Sequence, residues 1–346
     1  MFKIHQMDAK TLTWWHSQRD QIDMSPPYQR SGKIWSKEDQ AFLIDSIING
    51  FDIPKIYLAD FTFGNTPQMT ADSFRSGRAS IAWNLLPEDE ASLRTDPAVA
   101  ASYSEAPGLQ TVILAFNTHR GPLADEAIRQ HIVSSLDVEA IVRRAAGPYA
   151  AVASGIVPPG LIGHSGSLRT TGSAIRPAPL ARDIELSCLM RPLYSEGSEA
   201  ALREELFKAL AAIGVRARIH CPPRDQWEAA RAAAVDDMFL FGWIADYPDA
   251  DSFIHGLLRT ERGWIGRFCG SPDLDRLIDR SRTAVDPELR HDLYREIEAV
   301  VARRALLQPI VHSRSYRYVR PEVRGLEVTL ALPYVAYEKM WIDSSR

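Results

Sequence analysis

The residues best suited to ligand chemistry lie in one stretch, Trp243-Ile-Ala-Asp246-Tyr247. They directly follow an apolar run at residues 238–241, whose length and composition are typical of a buried strand. Such a strand delivers an aromatic ring and a carboxylate to its end. Because ligand clefts in open α/β sheets lie at strand ends, the stretch predicts a binding site there.

The same stretch also has a structural interpretation. Asp249 and Asp251 would form a solvated turn, and Asp246 would cap the helix that follows. Both interpretations stay open at this point.

The pattern Trp-x-x-Asp-Tyr-Pro-Asp resembles the signature of solute-binding protein family 5, the dipeptide, oligopeptide and nickel receptors of ABC importers. In that family the acidic residue pairs with the α-amino group of a bound peptide, and Asp246 is the residue that matches. The resemblance covers about residues 70–343 and includes Phe-Asn-Thr at 116–118, Pro-Pro-Gly at 158–160 and Leu-x-Pro-x-Val-His at 307–312. The candidate ligand-binding residues are Trp243, Asp246, Tyr247, Asn117, Arg120 and His312.

A second pattern occupies the first sixty residues. It consists of Pro27, Tyr28, Gln29, Arg30, Trp35, Leu43, Ile44, Ser46, Ile47, Gly50, Ile53, Pro54, Ile56 and Leu58. This order resembles the start of the ParB/sulfiredoxin-like nuclease domain of GmrSD-type restriction systems. The Asp-Gly-Gln-Gln-Arg motif that carries that family's chemistry is absent from the sequence, so we interpret the segment as a truncated fragment without its active site.

Together the two resemblances imply an α/β fold with periplasmic-binding-protein-like (type II) lobes, of which the first is incomplete, preceded by a small α+β ParB-like fragment. We expect the fragment at residues 1–62, a junction at 63–75 and the family 5-like domain at 76–346. Within that domain the second lobe should cover about 110–235, and a remnant of the first lobe about 236–346. The apolar patterns predict strands at 111–116, 185–190 and 215–219, and a helix between the last two.

Composition excludes several classes of function. The 346 residues are 45% hydrophobic and 24% charged, as in ordinary globular proteins, and the net charge of −4 favours neither nucleic acid nor an anionic membrane as a partner. The three cysteines (Cys188, Cys221 and Cys269) lie far apart without a CxxC pair, so neither a disulfide framework nor a zinc site is expected. The nine histidines show no metal-binding spacing, and there is no Gly-rich phosphate loop. We therefore expect no cofactor and no metal, and the family 5 resemblance implies that the chain has no enzyme activity.

The family 5 resemblance implies non-catalytic binding of a peptide or similar small solute, as in the substrate-binding proteins of ABC transporters, with an ABC permease as partner if the chain is exported. The first ten residues lack the apolar region of a signal peptide, so we expect a cytoplasmic location for the chain as written, although the family is normally periplasmic or extracellular. One alternative is a fusion remnant or interaction module without a ligand. Another is a ParB-like nucleotide- or DNA-acting domain, which would be inactive without its motif.

Overall fold

The structure is a computed structural model of the chain. It describes residues 2–5, 58–61, 66–100, 103–165, 183–191, 198–330 and 335–343. The expected ParB-like fragment lies outside the described residues except for two short strands, so that interpretation stays a prediction.

The strands of the described residues form one large sheet and a second sheet of two strands. They are β1 (Phe2–His5), β2 (Leu58–Phe61), β3 (Ile81–Ala82), β4 (Tyr103–Phe116), β5 (Ala151–Val152), β6 (Ile184–Met190), β7 (Val215–His220), β8 (Met238–Ile244), β9 (Leu307–Val319), β10 (Val323–Arg324) and β11 (Trp341–Ile342).

The helices lie mostly between strands of the main sheet. They are α1 (Pro67–Arg75), α2 (Pro87–Thr95), α3 (Pro97–Ala100), α4 (Glu126–Ser135), α5 (Val138–Ala146), α6 (Ser198–Ala212), α7 (Trp227–Ala233), α8 (Asp251–Leu258), α9 (Gly266–Cys269), α10 (Pro272–Thr283) and α11 (Pro287–Arg303). Short 3-10 turns cover Pro122–Ala124 and Tyr337–Lys339.

One mixed sheet organises these elements. Its strand order is β2-β1-β3-β9-β4-β8-β6-β7, and β5 also pairs with β9. Strand β6 is parallel to both β7 and β8, whereas β4 is antiparallel to β8 and to β9. The predicted unit of two parallel strands with a helix between them is confirmed as β6–α6–β7.

Helices cover both faces of the central part of this sheet. Neighbouring residues of β4 point to opposite faces, so Ile113 and Leu114 lie in different hydrophobic clusters. The Ile113 cluster contains residues of α8 to α11, and the Leu114 cluster contains residues of α4 to α6. The result is a three-layer α/β architecture.

The long strands β4 and β9 extend beyond these layers. Their far halves reach two smaller clusters that include Phe74 of α1, Ile81 of β3, and Tyr318 and Val319 of β9 itself. The pairing of β4 with β9 is therefore the connection between two sets of hydrophobic clusters.

The pairing of these two strands is interrupted between Pro107 and Thr111, where the register shifts. Gly108 lies inside the interruption. A Cβ atom at Gly108 would stand 2.1 Å from Ser313 Oγ and 2.9 Å from the Ser313 carbonyl carbon, so the two backbones approach closely. Because bulges bend a strand, we call residues 107–111 of β4 and the facing part of β9 the bend.

The structure corrects two local expectations. The strand expected at 111–116 begins at Tyr103. Pro107 and Gly108 are residue types typical of loops, and here they lie within β4 at the register shift. The expected junction at 63–75 contains α1, which Thr66 caps by accepting a hydrogen bond from the Met69 amide at 3.2 Å.

The hydrophobic clusters do not follow the predicted lobe boundary near residue 236, which stays a prediction. Phe239, after that residue, packs in the same cluster as Leu109 and Ile113, before it. The clusters separate instead at the bend, where Tyr318 on the far side of β9 belongs to a different one.

Candidate functional site

Trp243 lies near the end of β8 and anchors the segment that follows. Its indole N–H donates to the Ser252 carbonyl of α8 at 2.9 Å, and its ring lies 5.7 Å from the ring of Trp264. A Cβ atom at Gly256 would stand 3.1 Å from the indole, so the ring packs closely on α8. Trp243 therefore fixes the start of α8 against the end of the strand.

The carboxylates after Trp243 have different environments. Asp249 forms an ion pair with Arg290, and the mostly buried Asp251 forms one with Arg282 at 3.2 Å. Asp246 is exposed, and its carboxylate makes neither an ion pair nor a hydrogen bond within the described ranges. Of these three groups, Asp246 is the one whose charge stays available to a ligand.

The structural alternative for this turn is wrong. Asp246 does not cap α8, because its backbone N–H donates to Ser252 Oγ at 3.2 Å while its carboxylate faces outward. The amide of Asp251 is instead capped by Asp249 Oδ1 at 2.8 Å, so Asp249 and Asp251 are held by protein contacts rather than solvated.

Two large apolar surfaces flank Asp246. Ile244 is 56% exposed and Tyr247 is 47% exposed. The Tyr247 hydroxyl donates to Asp251 Oδ2 at 2.9 Å, and partial burial together with that carboxylate raises the pKa of Tyr247 to about 12. Tyr247 therefore stays neutral and presents its ring beside the free carboxylate.

A cavity of about 380 Å³ opens at the bend. Its lining comes from both long strands, from β5 and from the Pro-Pro-Gly turn, namely Glu105, Ala106, Pro107, Ala151, Pro159, His312, Ser313 and Arg314. Its volume lies at the low end of the range of small-molecule sites.

The antiparallel pairing of β4 with β8 brings the end of β8 to the bend. Gln110 pairs with Ile244, and the Ala245 amide donates to the Leu109 carbonyl at 2.8 Å. Asp246 is the next residue, so it follows the last hydrogen bond between the two strands, where β4 enters the bend. Asp246 and the cavity occupy the two sides of β4 at the bend.

The cationic side chain of the cavity is neutralised. Arg314 donates to both carboxylate oxygens of the buried Glu90, at 2.8 and 2.9 Å, and to Glu105 at 3.3 Å. Arg94 of α2 pairs with the same two carboxylates. This network holds α2 against the bend and leaves the lining without a free positive charge among the described residues.

His312 is the buried polar group of the cavity wall. It is 2% exposed, and burial with the neighbouring His164 lowers its pKa to about 3, so it is neutral at physiological pH. Its Nδ1 lies 2.9 Å from Thr111 Oγ1. Thr111 pairs with His312 on one side and with Trp243 on the other, so the three residues form one row across the sheet.

The structure places Asn117 and Arg120 away from the cavity and from Asp246. They follow the end of β4 at Phe116. Six residues of strand separate Phe116 from Gln110, which corresponds to about 20 Å. Asn117 is buried, donates to the carbonyls of Ala234 and Asp236, and accepts from the His119 amide. Its amide is fully engaged in holding that loop, and Arg120 is exposed. We do not include either residue in the proposed site.

Sequence reasoning missed Glu90, Glu105 and Arg314. Arg314 lies more than two hundred residues after both glutamates in the chain, and each of the three alone resembles a surface charge. One signal was present: Arg314 falls in a strand with large aromatic residues on alternate positions, where an unpaired charge is costly and a partner is required. The partner itself cannot be found without the fold.

No group of three or more metal-ligating side chains occurs in the described residues. Cys188 and Cys269 are buried free thiols, and Cys221 is exposed. The expectation of no metal therefore stays a prediction for the chain as a whole.

Comparison with known proteins gives a family match for part of the chain. The family model described as bacterial extracellular solute-binding proteins, family 5, middle, matches residues 35–185. The match begins inside the segment 1–62 for which we expected a ParB-like fragment.

The relatives agree with this match. Di/tripeptide-binding protein 2 of Pseudomonas aeruginosa (strain UCBPP-PA14) is 27% identical over 275 residues, which cover 76% of this chain and 51% of that protein. The structure of HbpA2 from Haemophilus parasuis has a TM-score of 0.69 at 18% identity and covers 84% of this chain and 59% of its own. The ABC transporter-associated periplasmic binding protein DppA from Helicobacter pylori, in complex with the peptide STSA, has a TM-score of 0.63 at 17% identity, covering 83% and 57%.

The chain spans about half the length of the curated relative, and its α/β fold is that of these periplasmic binding proteins. Residues 35–185, less than half of the chain, match the family 5 model, so over that part the chain is similar to these solute-binding proteins.

Proposed function

We propose that the chain binds a short peptide with a free amino terminus and carries out no catalysis. The observation that carries the proposal is the carboxylate of Asp246. It is exposed and has no partner in the described structure, although the two acidic residues that follow it are both paired. An unpaired carboxylate between two exposed apolar side chains suits an ammonium group attached to an apolar body.

The geometry also suits a short ligand. Asp246 and the cavity lie on the β8 and β9 sides of β4, so about two strand spacings, roughly 10 Å, separate the two features. An extended dipeptide backbone is about 7 Å long, and a side chain covers the remaining distance. The ammonium would bind Asp246, the backbone would cross the bulge at Gly108, and a side chain would enter the cavity.

The cavity favours an uncharged side chain. Its arginine is already paired with Glu90 and Glu105, and His312 is neutral. A charged side chain would lose its hydration there without gaining an opposite charge. The binding of di- and tripeptides named for the relatives supports a peptide of this size.

We also propose an ABC permease as partner, since the related DppA structure is described as ABC transporter-associated. The described part contains no helix that meets the length and hydrophobicity needed to cross a bilayer. The location of the chain stays a prediction.

The test is a thermal melt of the protein with a mixture of dipeptides and tripeptides, in parallel with the same mixture N-acetylated. A ligand at one hundred times its Kd stabilises the folded state by about 2.7 kcal/mol, which a melt detects. We expect the free mixture to raise Tm and the acetylated mixture to leave it unchanged. Equal shifts would remove the ammonium–Asp246 contact from the proposal, and no shift with either mixture would contradict peptide binding.

A further inference from the structure

A buried carboxyl group lies behind the cavity. Glu298 of α11 is 3% exposed, and its Oε1 accepts hydrogen bonds from the amides of Ile156 at 2.8 Å and Val157 at 2.7 Å. Its Oε2 is buried and has no hydrogen-bond partner in the part of the chain that the structure describes. Gly155 leaves the space for it, because a Cβ atom there would stand 2.1 Å from Oε2.

A chain of hydrogen bonds runs from this loop to the cavity. Thr111 Oγ1 donates to the Ile156 carbonyl at 2.9 Å. Thr111 Oγ1 also lies 2.9 Å from His312 Nδ1. A hydroxyl group has a single proton, and Thr111 gives it to Ile156. His312 Nδ1 must therefore carry the imidazole proton and donate to Thr111, which leaves Nε2 unprotonated.

We propose that Glu298 is a positioning residue for the ligand site: by holding the Ile156 and Val157 amides it keeps the Ile156 carbonyl on Thr111, and thereby sets the tautomer of His312 in the cavity wall. The effect on ligand affinity rests on the proposed peptide-binding function, whereas the tautomer itself does not.

The loop also carries the neighbour of His312. The Val157 carbonyl lies 2.7 Å from Nδ1 of His164, whose ring meets the ring of His312 at 6.0 Å in an edge-on arrangement. If the Ile156 carbonyl moved away, Thr111 could donate to His312 Nδ1, and the imidazole proton would move to Nε2. A displacement of two residues of loop thus changes which nitrogen of His312 is a donor.

The arrangement makes the site sensitive to pH. Burial is the main cause that raises the pKa of Glu298 to about 7, and the two amide hydrogen bonds oppose it. Other titratable groups on the elements linked to this loop are Tyr294 on the same helix, which lies against Gly163, His164, which contacts the Val157 carbonyl, and His312, which reaches the loop through Thr111. When the loop moves away and water reaches the carboxyl, its pKa returns toward the ordinary value of 4.5. Protonation therefore favours the packed loop, and ionisation above about pH 7 favours its release.

The first experiment needs no ligand. It follows the imidazole nitrogens of His312 by NMR between pH 5.5 and 8.5 in a His164→Gln background, which removes the neighbouring imidazole. We expect the imidazole proton of His312 to lie on Nδ1 at low pH. As pH rises, part of the population should carry it on Nε2, and this change should have a midpoint near pH 7. In the same background, Glu298→Gln should remove the midpoint. An Nε2 proton at low pH, or a His312 signal that stays constant while the Ile156 and Val157 amides titrate, would overturn the proposal.

The second experiment measures Kd for alanyl-leucine at pH 6 and pH 8 in the wild-type chain and in Glu298→Gln. The ratio of the two proteins' Kd values cancels the ionisation of the ligand. We expect the wild type to lose affinity relative to the variant by roughly threefold or more at pH 8, since only the packed fraction binds. A constant ratio would overturn the link to affinity. Absence of binding at both pH values, with the NMR midpoint present, would contradict the peptide function and leave the positioning role intact.

Discussion

Arg290 of α11 donates from its two terminal nitrogens to the two carboxylate oxygens of Asp249, at 2.9 and 2.8 Å. This fork joins the middle of the turn after β8 to a helix more than forty residues away in sequence. It fixes the turn while leaving Asp246, three residues earlier, unpaired within the described structure. The rigidity and the free charge of the proposed site therefore come from different residues, which can be tested separately.

Asp246→Asn tests the free charge. The substitution keeps the size of the side chain and removes the charge that would pair with a ligand ammonium. We expect Kd for peptides with a free amino terminus to rise roughly tenfold or more, with Tm unchanged because the side chain is exposed. Titration calorimetry measures the first and a thermal melt the second. Asp292→Asn, an exposed carboxylate on α11, is the matched control and should change neither.

Arg290→Lys tests the rigidity. Lysine keeps the positive charge and cannot form the two parallel hydrogen bonds. Because both partners are about a quarter to a third exposed, we expect a loss of only roughly 1 kcal/mol in the free energy of unfolding, together with weaker peptide binding. The control is Arg276→Lys, in an exposed pair with Asp273, which should cost almost nothing. Unchanged binding in Arg290→Lys would separate the turn from the site.

Ala151→Phe tests the cavity. Ala151 is a wall residue of β5, half-buried beside His312, and a phenyl ring there would occupy much of the space. We expect alanyl-leucine to bind roughly tenfold more weakly, whereas alanyl-glycine, which reaches Asp246 without a side chain for the cavity, keeps its Kd. In the wild type, alanyl-leucine should bind more tightly than alanyl-lysine or alanyl-glutamate. Equal loss for alanyl-leucine and alanyl-glycine would mean that the substitution distorts the whole site.

The stability of the fold should also report on Glu298. Its pKa is raised from 4.5 to about 7 in the folded state, so between these values the folded chain holds a proton that the unfolded chain has lost. This contribution to stability is therefore complete below about pH 4.5 and is lost as pH rises through 7. Its full size is roughly 3 kcal/mol.

Denaturant unfolding of the wild type and Glu298→Gln at pH 5, 6, 7 and 8 measures this contribution. Taking the difference between the two proteins removes the groups that they share. We expect the wild type to lose stability relative to the variant across the series. Parallel curves would mean that the carboxyl stays ionised, or reaches water, in the folded protein.

The fold was accessible from local patterns wherever one element carries its own signal. Asp125, Ser271 and Asp286 are residue types that favour helix N-caps, and each accepts an amide hydrogen bond at the start of α4, α10 or α11. Strands β6 and β7 followed from their apolar patterns. These signals are short-range, so a single sequence contains them in full.

What the sequence could not show depends on contacts between distant segments. The helical spacing of Leu289, Leu293 and Ile297 suggests one buried face of α11, yet Leu289 is 47% exposed and Glu298 is buried. A charged residue on a helix is normally assigned to solvent. Only the fold brings the amides of Ile156 and Val157 to that position and makes burial of the carboxyl possible.

The candidate site divides in the same way. Asp246 and Trp243 follow from one contiguous motif, whereas Arg314 and its partners lie more than two hundred residues apart in sequence. Asn117 belongs to a recognisable motif and yet lies at the opposite end of β4 from Asp246. The reason is that β4 and β8 are antiparallel, and the composition of the two strands does not show their relative direction.

Two hydrogen-bonded strands, β4 and β9, pass side by side through the bend. A pair of strands bends most easily where its ladder of hydrogen bonds is already interrupted. We therefore expect the two sets of clusters to rotate relative to each other about one axis, which crosses the strands at Gly108. The cavity lies almost on that axis, where the lever arm is shortest. A ligand close to this axis sets the angle between the two sets of clusters. A ligand larger by one methylene group would therefore move the residues far from the axis by several times the size of that group.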